Sequence, residues 1–571
     1  MRSSGSKSSS ESYFVLHQQD GDRLGILLDW ACANDIAIHP GIHLEAYFEP
    51  DTRPGIAVFS HDDIPSDTTL MTIPRSALLS VRSCTIAQHI PPISGLDDDE
   101  MSAKLSLALA LFSELVRGRD SRWFGYLQAL PKTVPLALFW GTRDVFPDDD
   151  SREASEWIVG TEVEKEVRSR YYLDQIATYY ETVASPVLSK LEIPVTPEYF
   201  LHAYALVSSR ALRADAYHGL CMVPIADAFN HASVMNSHAR FEVISHVCPT
   251  CGSQNDCSHG SRRPPESQLS AYLQKNDACA VIGAFEANSQ EILMCYGLAK
   301  SNASLLVHHG FALEFNEDNT ISWDASELKD DLLAIQASGQ KRDATNTIMS
   351  GISLDSFLRL VEATSDRLEH SGYDYSVLYK GNFLCSDDHR RRGSKLRIDS
   401  SGRMTTHMWM FVNLWLVLPG YITSGVDIND AIKNRTKSFI DTLTMACRNI
   451  MEILLRISLV KKPDLDSSTA SWEVAINYET MGNDVEAERE LTFQMLRIVN
   501  EVFARRLSRI GKYPDMSSDD IWRICANLPH NRHKARMAIA EAISERDLIE
   551  RCLSTWQAIE DVARKIAHIH A

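Results

Sequence analysis

The stretch MVPIADAFNHAS, residues 222–233, changes from apolar to polar within a few positions. Residues 222–226 have the composition of a buried strand, and Asp227, Asn230 and His231 follow directly. Asp and Asn are common turn residues, so a strand that ends in an ordinary turn is the simplest interpretation. A ligand site at the end of the strand is the alternative. The other segments of the chain decide between the two.

The composition of the chain is that of a soluble globular protein. It has 571 residues, of which 44% are apolar and 23% charged, so two or more domains are expected. Lys and Arg number 57 and Asp and Glu 76, which gives a formal net charge of −19. This charge argues against broad binding to nucleic acid or to anionic membranes. Neither is therefore expected as a direct partner.

Three features bear on location. Residues 1–19 are polar and rich in Ser, which predicts a disordered tail rather than a signal peptide. The 12 cysteines are scattered, which favours reduced thiols in the cytoplasm or the nucleus. The most apolar window, residues 408–422, is too short to span a bilayer and predicts a buried helix. The basic run at residues 389–397 is a solvated loop, a nuclear-import signal or a contact for an acidic partner.

The pattern of elements changes along the chain. Residues 20–320 combine short strands with helices, and Thr196 with Pro197 predicts the start of a helix that reaches Leu212. From about residue 326 to residue 571 the strand signal fades and apolar residues recur at spacings of three and four. These patterns predict an α+β domain followed by an all-α domain.

A Cys-rich segment, HVCPTCGSQNDCSHG, begins at His246 and lies in an insertion of about residues 246–267. Its CPTCG turn is typical of a zinc knuckle, because the thiolates of Cys248 and Cys251 can point at one ion. Cys257 and His259 would complete a tetrahedral set for one structural zinc ion. An exposed loop with free thiols is the alternative.

Three further segments accompany the opening stretch. They are DTRPGIAVFSHDDIPSDTTLMTIP from Asp51, VSSRALRA from Val207, and EILMCYGLAKSNASLLVHHGFALE from Glu291. In this order and at these separations the four segments resemble SET-domain protein methyltransferases of the branch that includes the Rubisco large-subunit methyltransferase. SRWFGYLQALP, from Ser121, also resembles part of the pattern of that family. The resemblance covers most of the chain.

The resemblance implies a fold and an activity. The fold would be a SET domain of short strands with a pseudoknot and a helical insertion at about residues 85–205, followed by a helical substrate-binding domain. The activity would be S-adenosylmethionine-dependent methylation of a protein side chain, most often lysine. The protein substrate would be ribosomal or related to translation. Histidine methylation, or a non-catalytic peptide-binding adaptor, are the alternatives, and residues 52–54 motivate the adaptor because the family usually has a further glycine there.

The resemblance also implies roles for individual residues. Tyr296 would be catalytic and would contact the reacting amine and methyl group. The cofactor would be bound by Gly55, Arg210, Asp227, Asn230, His231, His309, Gly310 and Phe311. More ordinary roles exist for three of these side chains: Tyr296 bonded to backbone, Arg210 in a surface salt bridge, and His309 packed against a helix beside His308.

Overall fold

The computed structural model describes most of the chain. The described residues are 22–47, 55–61, 63–92, 100–141, 148–169, 172–244, 246–259, 268–284, 290–338, 349–369, 384–385, 395–422, 437–461, 472–476 and 486–569. The predicted tail, residues 52–54 and most of the basic run at 389–397 lie outside these ranges.

The chain divides into two compact units. Unit 1 comprises residues 1–155, 165–314 and 528–537, and unit 2 comprises residues 156–164, 315–527 and 538–571. The main break therefore lies between Glu314 and Phe315, and each unit also includes a short segment from elsewhere in the chain. The predicted domain limits, 20–320 and 326–571, remain predictions.

Unit 1 is built on three small sheets. A four-stranded antiparallel sheet has the order Ala37–Ile38, Thr69–Pro74, Ala278–Gly283, Ala239–Glu242. A two-stranded sheet pairs Ile42–Tyr47 with Gly55–Ser60, and a three-stranded sheet has the order Leu79–Ser80, Leu220–Met222, Leu212–Arg213. All six residues of Ala278–Gly283 are buried, as expected for a central strand without polar side chains.

Helices of unit 1 lie between and beside these strands. Thr196 caps the helix Pro197–Arg210 by accepting a hydrogen bond from the Tyr199 N–H, as predicted, but the helix ends two residues before Leu212. It ends there because Leu212 and Arg213 pair with Cys221 and Leu220 in a sheet. The helices within or overlapping this unit are Arg23–Ala33, Glu100–Arg117, Phe124–Leu127, Asp149–Trp157, Glu162–Ser169, Tyr172–Tyr179, Ser185–Lys190, Pro197–Arg210, Gln268–Asn276 and Asn302–His308.

The segment 290–296 joins distant parts of unit 1. The Ile292 N–H donates to the Val58 carbonyl at 2.7 Å, and the Met294 N–H donates to the Asn230 carbonyl at 2.8 Å. Isolated bridges pair Glu291 with Phe59 and Met294 with His231. The expected strand over 291–296 is therefore a run of single bridges to several neighbours, which places the motif at residues 291–296 against that at 230–232.

Unit 2 is mainly helical. Its helices are Ala325–Ser338, Leu354–Glu369, Thr406–Ile422, Lys437–Arg456, Glu486–Leu507 and Ser518–Asn527, and the helix His533–Ile569 contributes from residue 538. Its core includes Trp409, Phe411 and Trp415 from the predicted buried helix. The helices described here include none that is long and apolar enough to cross a membrane.

The expectation of an all-α second domain needs a correction. Unit 2 also contains a four-stranded sheet with the order Thr320–Ser322, Arg397–Asp399, Met404–Thr405, Leu384–Cys385, and a hairpin of Ile457–Lys461 with Trp472–Ile476. The strands of the four-stranded sheet have only two or three residues, too few to show a period of two, so periodicity does not detect that sheet.

Candidate active site

The turn after Met222 has an unusual backbone. Ile225, which is 1% exposed, has φ of +69°, and a 3₁₀ turn, Ala226–Ala228, follows it. A buried β-branched residue in the left-handed region costs free energy, and such strain persists only where the surrounding structure holds it. Residues 222–226 are all buried, as expected, but the strand expected over them ends at Met222, because the positive φ of Ile225 and the 3₁₀ turn leave the extended conformation.

Asp227 forms one end of the site. Its Oδ2 accepts a hydrogen bond of 2.7 Å from the Tyr126 hydroxyl and lies 3.7 Å from Arg210 Nη1. Burial raises the pKa of Asp227, and the charge of Arg210 and the bond from Tyr126 oppose that rise. Burial, together with the neighbouring carboxylate, also raises the pKa of Tyr126 well above its usual value. The carboxylate is thus held by two partners.

Arg210 is the last residue of its helix and is partly exposed. Its Nη1 donates a hydrogen bond to the Asp227 carbonyl at 2.9 Å and forms an ion pair with the Asp227 carboxylate at 3.7 Å. A surface salt bridge was the ordinary alternative for this residue. The contact is instead with a buried partner in the predicted site, and a guanidinium offers five N–H donors for further anionic groups.

Asn230 and His231 are fixed from both sides. The Asn230 amide donates to Glu291 Oε1 at 2.6 Å. His231 Nδ1 accepts a hydrogen bond of 3.1 Å from the Tyr296 N–H, which requires that nitrogen to be unprotonated. Burial lowers the pKa of His231 to about 4, and the charge of Lys300 adds to this effect. The imidazole is therefore neutral near pH 7.

Tyr296 lies at the centre of an aromatic cluster. Its ring centroid is 5.0 Å from that of His231, 5.3 Å from that of His309 and 6.3 Å from that of Phe311. Its hydroxyl donates to the Phe229 carbonyl at 2.7 Å, the backbone bond foreseen as the ordinary role. A phenol oxygen whose proton is donated to a carbonyl acts towards other groups as a hydrogen-bond acceptor.

Residues 309–311 complete the cluster. His309 Nδ1 lies 3.3 Å from the Ser209 carbonyl, to which it can donate. Burial and the charge of Lys300 lower the pKa of His309 well below its usual value. Gly310 has φ of +78°, and a Cβ there would lie 3.1 Å from the Pro135 carbonyl carbon, so any other residue would be both strained and crowded.

Gly55 is the first residue of the strand Gly55–Ser60, opposite Tyr47. The same strand receives the hydrogen bond from Ile292 through Val58. The structure thus places Gly55 on a strand that is bonded to the site segment, and its contact with a cofactor stays a prediction.

Sequence reasoning did not assign three supporting residues. Tyr126 binds Asp227 and lies in SRWFGYLQALP, a segment that resembles the family pattern but to which no site residue was assigned. Glu291 opens the fourth segment and binds Asn230. Asn302 is 2% exposed, and its amide pairs with both backbone groups of Leu313 at 2.9 and 3.1 Å, which fixes the chain beyond Phe311. The SN pair at 301–302 was the available signal.

The four Cys and His ligands predicted from the sequence do converge. The ligand atoms of Cys248, Cys251, Cys257 and His259 all lie within 4.8 Å of one another. Backbone N–H groups of Cys251 and Thr250 face the Cys248 sulfur and lower the pKa of that thiol to about 6. The segment is therefore an ordered cluster and not an open loop with separated thiols.

Comparison with known proteins supports the same picture. No protein-family model matches the chain. It is 26% identical over 228 residues to ribosomal lysine N-methyltransferase 3 of Saccharomyces cerevisiae, a match that covers 36% of this chain and 39% of that protein. It is 23% identical over 291 residues to the chloroplastic Rubisco large subunit N-methyltransferase of Nicotiana tabacum, covering 49% and 50% respectively. The matches thus span half, or less than half, of these relatives.

The structural likeness extends further than the sequence likeness. A crystal structure of the SET domain of LSMT, the Rubisco large subunit methyltransferase, with bound lysine and AdoHcy superposes with a TM-score of 0.55. The identity is 14%, and the superposition covers 95% of this chain and 92% of that chain. The chain therefore has this fold, a SET domain followed by a mainly helical domain.

Proposed function

We propose that this chain, which has the SET-domain fold and sequence relatives among protein-lysine methyltransferases, is itself an S-adenosylmethionine-dependent protein-lysine N-methyltransferase. The observation that carries the proposal is the contact between its two motifs. His231 Nδ1 accepts from the Tyr296 N–H, and the two rings lie 5.0 Å apart, although 65 residues separate them. The two motifs that resemble this family therefore lie side by side, as a shared cofactor and substrate site requires.

The cofactor would bind beside the contact between His231 and Tyr296. Arg210 offers guanidinium donors that suit the cofactor carboxylate, a charge-assisted contact. Asn230 and His231 would bind the adenosyl and methionyl parts, and Phe311 offers an aromatic face to the adenine. The sulfonium carries a positive charge, and a neutral His231 does not repel it.

Methyl transfer needs a deprotonated amine, because an ammonium has no free lone pair. A lysine amine has a reference pKa near 10.4, and desolvation between aromatic rings lowers it. The released proton passes to water before transfer. The amine lone pair then forms the N–C bond while the C–S bond breaks, which yields methyl-lysine and S-adenosylhomocysteine.

Orientation supplies much of the rate in such an in-line displacement. The Tyr296 hydroxyl points its proton at the Phe229 carbonyl, so its oxygen would accept an N–H bond from the substrate amine and align the lone pair with the methyl group. No metal ion takes part in this step as proposed.

The substrate within the proposal is a protein of the translation machinery. The name of the yeast relative supports this choice, and the net charge of −19 suits a basic partner such as a ribosomal protein. A cytoplasmic or nuclear location is also proposed, and its support is the scattered cysteine pattern of the sequence.

The first test is cofactor binding by isothermal titration with S-adenosylmethionine. We expect the wild type to bind and Asn230→Ala to bind at least about tenfold more weakly, because each lost hydrogen bond of this kind is worth about 1.4 kcal/mol. Asn527→Ala is the matched control, since the Asn527 amide donates only to the Arg523 carbonyl in a helix of unit 2. No binding by the wild type would contradict the proposal and favour the adaptor.

The second test is transfer of labelled methyl groups to ribosomes and to a ribosome-free lysate. Tyr296→Phe should lower the rate by about 100-fold or more while the cofactor still binds. Tyr179→Phe, which also loses a bonded hydroxyl in unit 1, should keep the rate. Amino-acid analysis of the product identifies the target. Methyl-histidine in place of methyl-lysine would overturn the lysine assignment.

A further inference from the structure

We propose that Cys248, Cys251, Cys257 and His259 bind one zinc ion, and that this ion fixes the inserted loop to the central sheet of unit 1. The proposal is independent of methyl transfer, because none of the four residues belongs to the candidate active site. It concerns a structural metal site with three thiolates and one imidazole.

The distances suit a tetrahedral ion. With Zn–S near 2.3 Å and Zn–N near 2.0–2.1 Å, tetrahedral angles place two sulfurs about 3.8 Å apart and a sulfur and a nitrogen about 3.6 Å apart. Cys257 Sγ and His259 Nδ1 lie 3.6 Å apart. The four ligand atoms together lie within 4.8 Å of one another, so small side-chain movements bring all of them to one ion.

The backbone presents the first two thiols as a knuckle. The Cys248 N–H donates to the Ser253 carbonyl, and the Gly252 N–H donates to the Cys248 carbonyl, each at 2.9 Å. Gly252 has φ of +73°, which closes this turn. Backbone bonds thus set the turn before any ion binds, which reduces the entropy cost of assembling the ligands.

The knuckle is attached to an ion cluster in which Arg75 and Asp215 are buried and Asp277 is exposed. The Gly252 carbonyl accepts a bond of 3.3 Å from Arg75 Nη1, and Arg75 in turn binds Asp215 at 2.7 Å and Asp277 at 2.9 Å. Arg75 directly follows the strand Thr69–Pro74, and Asp277 directly precedes Ala278–Gly283. Through Arg75 and Asp277, the knuckle is therefore bonded to the ends of the two central strands.

A second attachment is apolar. A Cβ at Gly252 would meet the Tyr217 ring at 3.0 Å, so the turn lies directly against that ring. Tyr217 packs against a cluster of Ile244, Val247, Leu273, Ala280 and Ile282. This cluster joins the start of the insertion and the helix Gln268–Asn276 to the central strand, and fixing the loop with an ion therefore holds the strand ends as well.

Zinc is the metal that suits this ligand set. Three Cys and one His form a known structural zinc combination, with all four positions of the ion filled by protein. All three cysteines bind as thiolates, and any thiol proton still present goes to solvent, so the ion and three thiolates carry a net charge of −1. A filled coordination sphere leaves no position for substrate, so the ion is structural.

The test measures zinc per chain by mass spectrometry of the full-length protein under native conditions. We expect one zinc ion per wild-type chain and none in the Cys251→Ser/Cys257→Ser double variant. Cys32→Ser, at an exposed cysteine outside the cluster, should retain one. A wild-type chain that is reconstituted with zinc and keeps none after desalting would overturn the proposal, as would a double variant that keeps the ion.

A spectroscopic test avoids the risk that the double variant does not fold. Wild-type protein loaded with cobalt should show thiolate charge-transfer and intense visible bands of a tetrahedral site, and zinc should displace cobalt and remove them. His259→Cys should keep the metal and shift the bands as a fourth thiolate joins. Bands that His259→Cys leaves unchanged would exclude His259 as a ligand and contradict the site as proposed.

The structural role has its own readout. A zinc chelator should increase hydrogen exchange over residues 278–283 in the wild type, because the loop no longer holds Arg75 and Asp277. The same chelator should leave exchange unchanged in the helix Thr406–Ile422 of unit 2. Unchanged exchange at 278–283 after proven zinc loss would refute the role in holding the sheet.

Discussion

Two loops of unit 1 are ordered by different means. The turn at residues 225–232 is held by protein groups alone: Tyr126 and Arg210 hold Asp227, and Glu291 holds Asn230. The Cys knuckle at residues 248–259 also has backbone hydrogen bonds, but it brings three thiols and an imidazole together at the position proposed for the zinc ion. The first loop is complete without a ligand ion, and the second is completed by one.

The difference follows from burial. Asp227 and His231 are each 9% exposed, so their polar atoms must find partners inside the protein. Cys248 is buried at the start of its loop, but Cys251 is exposed and Cys257 partly so, and this outer part of the loop gains its order from the bound ion. Loss of metal should therefore loosen the knuckle and leave the turn intact.

The largest effect is expected from Asp227→Ala, which tests whether protein groups alone hold the turn. The change removes the buried acceptor of the Tyr126 hydroxyl and the carboxylate beside Arg210, which keeps only its bond to the backbone carbonyl, so unfolding should become easier by about 3 kcal/mol. Urea denaturation with and without chelator measures this. The destabilisation should be the same in both conditions, because the turn does not depend on the ion.

The control for this variant is Glu242→Ala in the same unit. Glu242 binds Arg240 in a partly exposed pair at 2.8 Å, and such pairs contribute about 1 kcal/mol or less. If Asp227→Ala cost no more than Glu242→Ala, the buried contacts of the turn would not be what stabilises it.

Acid should weaken the turn through His231. Its pKa is 6.5 when unfolded and about 4 when folded, so the unfolded chain binds the proton more readily between these values. The stability contributed by the neutral imidazole is complete above pH 6.5 and is lost as the pH falls towards 4, by up to about 3 kcal/mol. Metal-free protein should be used, because acid also releases zinc from thiolates.

His231→Asn is the matched variant for the pH experiment. The Asn Oδ1 can accept the Tyr296 N–H in place of Nδ1, and it does not titrate. His308 and His309 also have lowered pKa values and remain in both proteins. The variant should therefore show a shallower loss of stability below pH 6.5, and equal slopes would show that His231 is not responsible.

The two loops also differ in how far the sequence predicts them. Asn230, His231, Tyr296 and the four Cys and His ligands were identified from local motifs, and the structure brings each set together. The hydrogen bonds of Tyr126 and Glu291 were not predicted, because they join residues 101 and 61 positions apart. Spacing within one segment carries no information about such pairs.

The helical pattern of unit 2 was predicted, and its small sheet was not. An apolar period near 3.6 identifies Lys437–Arg456 and Glu486–Leu507 over five or more turns. Strands such as Arg397–Asp399 and Met404–Thr405 are set by tertiary pairing, and two or three residues do not establish a pattern. The strained turn at Ile225 was also missed, since isoleucine gives no signal for a positive φ.

The smallest effect, Gly252→Ala, tests how firmly the knuckle is attached to the rest of unit 1. Gly252 has φ of +73°, and the new Cβ would lie 3.0 Å from the Tyr217 ring. The positive φ costs an alanine about 1 kcal/mol, and displacement of the ring adds to it, so about 2 kcal/mol of destabilisation is expected in the zinc-loaded protein. Thermal unfolding measures the destabilisation, and the zinc content of the same sample shows that the variant is still loaded with zinc.

Gly219→Ala separates the two causes. Gly219 has a similar φ of +65° but nothing within 4 Å of the added Cβ, so it carries the backbone cost alone. The difference between the variants, about 1 kcal/mol, reports the contact between the knuckle and Tyr217. Removal of zinc should erase that difference, since a released loop can move away from the ring. A difference that persists without zinc would show that the knuckle holds its place by packing, and that the two loops are ordered by the same means.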